Sequence, residues 1–88
     1  MNQYKVIVYD KVKQNEQGLW VIVESHKTFD ILDIEDIEDT KAILKQLKAV
    51  KIINTIDLRK VVVEGTSYKE IKEKKGKKPI CRIERLSI

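Results

Sequence analysis

The chain has 88 residues, 42% apolar and 36% charged, with a formal net charge of +4; that length supports one core, so residues 1–88 are expected to form one domain. The only cysteine is Cys81, which excludes an intrachain disulfide and a cysteine-based zinc site and fits a reducing cytoplasm. No apolar run approaches the roughly 18 residues that a membrane span needs, and the N-terminus has the pattern of a strand, not of a signal peptide.

The charge is unevenly placed. Residues 1–40 hold nine carboxylates against four lysines, and residues 41–88 hold fourteen Lys/Arg against five acids. A net of −5 against +9 makes a dipolar surface, and fields of that kind select and steer partners. Isoleucine and lysine dominate their classes, with 13 Ile and 15 Lys against 3 Arg. Such a bias is common in AT-rich genomes, so lysine excess alone does not indicate a nucleic-acid site.

Tyr4-Lys-Val-Ile-Val-Tyr9 is rich in β-branched and aromatic residues and predicts a strand. Val6 and Val8 share one face, Ile7 and Tyr9 the other, so an interior strand covered on both sides is expected. The strand continues through Val12, residues 14–18 turn with Gly18 free to take positive φ, and Leu19–Val23 returns as an antiparallel hairpin. Trp20 shares a face with Ile22 and, placed under a helix, would be the largest core residue.

Residues 30–39, DILDIEDIED, space Ile31, Ile34 and Ile37 three apart, so one edge can pack down while the acids face water. A calcium loop needs alternating oxygen ligands around a bend-permitting glycine, and this run has none. A helix over 40–52 follows, with Asp39 or Thr40 as N-cap and a stripe of Ile43, Leu44, Leu47 and Val50. Lysines towards its end suit the helix dipole, and Asn54 is the expected stop.

Leu58–Glu64 predicts a third strand closed by Gly65. Within it, Val61-Val62-Val63-Glu64-Gly65 resembles the opening strand of Toprim domains, where a glutamate after a hydrophobic strand serves metal-dependent phosphoryl chemistry. The resemblance ends there, because the family's downstream pair of aspartates has no counterpart and no Asp follows Asp57. A strand ending in a turn is the plainer reading.

The remainder reads two ways. Ser67-Tyr-Lys-Glu70 matches a capping box, and Gly76 with Pro79 would end a short helix over residues 66–76. Alternatively Lys75-Gly76 turns a hairpin between 68–74 and 78–86. The agreement of cap and stop signals favours the helix. Ile80, Cys81 and Ile83 then form a last strand. The order is ββαβ followed by αβ or ββ: an α+β, small two-layer sandwich with one helix on a sheet of three to five strands.

No residue set signals catalysis. Ser25 and His26 are neighbours on opposite strand faces, the wrong geometry for nucleophile and base. His26 reads as a surface histidine and Cys81 as an inert core thiol. No enzyme activity, metal or cofactor is expected. The candidate site is instead the basic stretch of Lys69, Lys72, Lys74, Lys75, Lys77, Lys78, Arg82 and Arg85, whose lysines around the 75–76 turn have no local neutralising partner. Tyr68 is the only aromatic near it, and neither a helix-turn-helix nor an RNP pattern is present.

The function expected is that of a non-enzymatic interaction module presenting this surface to an acidic protein or a nucleoprotein. Viral and mobile-element accessory proteins, including inhibitors of host machinery, often have this composition. The alternative is sequence-nonspecific DNA or RNA binding through the same residues. A homodimer pairing acidic tract with basic stretch is a further possibility, and no membrane partner is expected.

Overall fold

The computed structural model describes residues 4–28, 32, 34–53 and 59–85. Its elements are β1 (Tyr4–Gln14), β2 (Trp20–Thr28), α1 (Thr40–Ala49), β3 (Val61–Glu64), β4 (Lys69–Glu73) and β5 (Pro79–Arg85). All five strands join one antiparallel sheet in the order β2-β1-β5-β4-β3. The fold is therefore α+β, with one short helix among the described residues. Asp30, Ile31, Asp33, Asn54 and Leu58, which figure in the sequence reading, lie outside the described residues.

Register sorts the side chains onto two faces. Val8, Cys81, Ile71 and Val63 stand in one row across four strands, with Val6 and Ile83 in the next. These residues join Ile43, Leu44 and Leu47 of α1, together with Leu32, Ile34 and Ile53, in a single core. The opposite face carries Ile7, Arg82, Glu70 and Glu64 in a row, flanked by Lys5 and Glu84. Alternation thus separates a dry face from a charged one.

α1 is bounded by local chemistry at both ends. Asp39 is the N-cap, its Oδ1 accepting from the Ala42 N–H at 3.1 Å. At the other end Lys51 takes a left-handed φ of 64°. The Lys51 N–H donates to Lys48 O at 3.0 Å and the Ile52 N–H to Leu47 O at 2.9 Å, the paired bonds of a Schellman cap. The helix therefore stops at Ala49, before the expected Asn54.

The 66–76 segment is not a helix. Residues 69–73 pair with both β3 and β5, and the hairpin between β4 and β5 turns at residues 74–77. Gly76 (φ 82°) and Lys77 (φ 58°) are both left-handed, a combination that suits the twist of a hairpin. The Ser-x-x-Glu signal was outweighed because a helix would have buried only Tyr68 and Ile71, whereas the hairpin seals Ile71, Cys81 and Ile83 into the core.

Gly65 explains the end of the VVVEG run. Its φ is 125°, and a Cβ there would run into the Tyr68 carbonyl oxygen of the same tight turn. The glycine is a backbone requirement of the β3–β4 connection.

Trp20 is outside the core. β2 is an edge strand whose residues 21–27 are all exposed, and it contributes nothing to the central cluster. Only the β1 half of the first hairpin contributes side chains to the core that α1 shares. A Leu47→Ala variant is expected to lose about 2–5 kcal/mol in chemical denaturation, whereas Val23→Thr should stay within about 0.5 kcal/mol of the parent. Lys51→Gly should raise stability by up to about 1 kcal/mol, because glycine reaches the left-handed cap without steric cost.

Candidate partner-binding surface

The structure divides the eight basic residues of the sequence reading into three groups. Lys69 is buried on the core face at the acidic end of the sheet, its Nζ 2.8 Å from Glu38 Oε1 and 2.7 Å from the Gly65 carbonyl oxygen. It is a structural cation, committed within the fold, and no longer a candidate for partner contact. Arg85 lies at the same end, beside a cleft shared with Glu35, Asp36, Ser67 and Tyr68.

Lys72, Lys77 and Arg82 belong to the charged face and are neutralised there. Lys72 Nζ is 3.5 Å from Glu64 Oε2 and 3.3 Å from Glu70 Oε1, and Lys77 Nζ is 3.0 Å from Glu64 Oε1. Arg82 Nε lies 3.0 Å from Glu84 Oε1, an ion-pair contact without hydrogen-bond alignment, and its guanidinium sits 5.1 Å from the Tyr68 ring centroid. Lys5 closes on Glu84 at 3.1 Å.

Titration follows this pairing. The hydrogen bond and charge of Lys77, with Lys72 beyond it, hold the Glu64 carboxyl below its ordinary value. Burial works to lower the Lys72 ammonium, but Glu70 and Glu64 outweigh it and the net shift is upward. Tyr9 donates its hydroxyl to Glu70 Oε2 at 2.7 Å, and burial together with that carboxylate pushes the phenol upward. The charged face is an ion-paired network, in which Arg82 Nε is buried without a hydrogen bond. The expectation that every lysine around the turn lacks a local partner fails at Lys77, which the left-handed backbone swings towards Glu64.

Lys74, Lys75 and Lys78 remain, exposed and without a carboxylate partner among the described residues. The fold adds two residues that sequence reasoning missed. The Lys74 N–H donates to Lys60 O at 2.9 Å, which holds the turn before β3 against the β4–β5 turn. Arg59, Lys60, Val61, Glu73, Lys74 and Lys75 together line a cleft of about 450 Å³. The 59–60 pair is separated from the lysine run by two strands, so only the β3–β4 pairing could have revealed it.

The acidic tract lies at the other end of the sheet and is largely consumed locally. Glu38 holds Lys69, Asp39 caps α1, and Asp36 Oδ1 accepts from the Glu38 N–H at 2.9 Å. Among the described residues no three His, Cys, Asp or Glu side chains converge on a metal-sized site. His26 is exposed, with Nδ1 2.7 Å from Asp10 Oδ2. Among the described residues no helix is long and apolar enough to cross a membrane.

The chain matches no family model, and neither a curated protein nor a solved structure is significantly similar to it.

Cys81 sits in the dry face of β5, where burial, with the Glu70 charge adding to it, pushes the thiol up to about 12. The thiol is therefore protonated throughout pH 7–9 and shielded as well. An aromatic disulfide reagent at pH 8 should leave the native protein unmodified and label Cys81 rapidly in denaturant. Rapid native labelling would show that β5 is less well covered than the packing indicates.

Proposed function

We propose that this chain is a non-enzymatic interaction module that docks on an acidic surface of a protein or nucleoprotein through the basic end of its sheet. The role is that of a small accessory or inhibitory protein of the kind viruses and mobile elements carry. One observation supports the reading above the others: Lys60, Lys74 and Lys75, with Arg59, are gathered around one cleft and Lys78 stands beside it, while Lys69, Lys72, Lys77 and Arg82 are tied to carboxylates. The exposed Lys74, Lys75 and Lys78, without a carboxylate partner among the described residues, are a surface suited to a complementary charge. In this reading the fold is a two-layer sandwich, with α1 on one face and the sheet end left for the partner.

A protein partner is favoured over nucleic acid by what lines the cleft. None of its residues is aromatic, so the cleft lacks the aromatic platform on which single-stranded binders stack bases, and Tyr68 is engaged with Arg82 on the charged face.

The test compares the parent with a Lys74→Glu, Lys75→Glu, Lys78→Glu triple variant. Poly-glutamate should bind the parent and lose about tenfold or more in affinity with the variant, with no matching loss of thermal stability. A short DNA duplex and a single-stranded RNA serve as competitors over a salt titration. If either binds more tightly than poly-glutamate, with a steep salt slope that flattens in the variant, the partner is nucleic acid. Equal binding of all probes by parent and variant would remove this cluster from function.

A further inference from the structure

The core face of the sheet runs out at its basic end. Val61 stands opposite Glu73 in the β3–β4 ladder, one row beyond Val63 and Ile71 on the same face. Val61 is buried and belongs to the core, whereas Glu73 is exposed. The apolar face therefore ends at Val61, and the cleft of about 450 Å³ opens there, with Arg59, Lys60, Lys74 and Lys75 as its remaining walls.

Five of the six lining residues are charged, yet most of the surface they give the cleft is carbon. Lysine and arginine do this when their stems lie along apolar surface and their heads stay in water. Two backbone bonds set the walls before a partner arrives: the Lys74 N–H donates to Lys60 O at 2.9 Å, and the Glu73 N–H to Lys78 O at 2.8 Å. The volume falls in the range of about 300–1,000 Å³ that ligand pockets occupy. A carbon-lined cleft ringed by cations calls for an apolar group that also answers positive charge. An aromatic ring is such a group, because its face is the negative part of its quadrupole.

We infer that the cleft seats one aromatic side chain of the acidic partner, flanked in that partner's sequence by carboxylates that meet Lys60, Lys74 and Lys75. The ring would gain apolar contact with the lysine stems and cation–π attraction from their heads, while the carboxylates would set its placement. Glu73, the only acid in the lining, disfavours a carboxylate inside the cleft and leaves that place to the uncharged ring. The inference rests on the proposed acidic protein partner and adds the side chain by which that partner is anchored.

The probes are a blocked glutamate peptide with one central phenylalanine and its counterpart with alanine there, each titrated calorimetrically against the intact chain. The phenylalanine peptide should bind at least about tenfold more tightly. Glu73→Trp fills the cleft from an exposed position and removes no cation, so it should abolish that preference without weakening the alanine peptide. Lys75→Ser, at the exposed turn, strips one wall and should narrow the preference in the same direction. Equal binding of the two peptides by the parent overturns this inference alone, and binding of neither overturns the acidic-partner reading as well. A preference that survives both variants places the ring elsewhere and overturns the inference. Sedimentation showing a dimer that Lys60→Glu dissolves would assign the cleft to a second copy and overturn it too.

Discussion

The pairing of β1 with β5 is the contact on which the rest of the structure depends. Val6 stands opposite Ile83 and Val8 opposite Cys81, so the first and last strands meet inside the sheet and not at its margins. Without that ladder the N-terminal hairpin and the C-terminal three strands have no common face for α1 to cover. The same pairing carries the β1–β2 hairpin far enough round for Trp20 to reach Gly76. It closes a loop of some seventy residues, so much of the ordering entropy must be lost before the central row of Val8, Cys81 and Ile71 is rewarded.

The two faces divide the work. One is dry, and Lys69, its one buried charged residue among those described, sits at the rim with both a carboxylate and a carbonyl oxygen as partners. The other arranges Glu64, Glu70 and Glu84 among Lys5, Lys72 and Arg82 so that each side chain answers a neighbour. Individually such exposed pairs stabilise little, but together they leave almost no uncompensated charge on the face. The field that remains is displaced to the ends of the sheet.

What could be read from the sequence follows from where the pattern was local. The first hairpin and α1 were legible because their periodicities, the turn at Gly18 and the Asp39 cap lie within a few residues of each other. β4 was obscured because Lys69 occupies a core-face position, which breaks the alternation that would have marked Lys69–Glu73 as a strand. The helix end was misplaced because a lysine, Lys51, takes the left-handed position usually given to glycine or asparagine. Trp20 misled through its size: aromatic bulk suggested a core residue, and the indole instead bridges two turns. The basic cluster was half legible. Lys74, Lys75 and Lys78 stand together in the chain, but Arg59 and Lys60 join them only through strand pairing, and the pairing of Lys77 depends on a backbone twist that composition does not encode.

That β2 supplies no side chain to the core has an evolutionary meaning. Substitutions along its nine residues change what the sheet edge presents while the packing under α1 is untouched. Drift there is almost free of the stability penalty that restrains Val6, Ile71 or Cys81. A lineage under pressure to follow a changing target could rewrite this strand repeatedly and keep its scaffold.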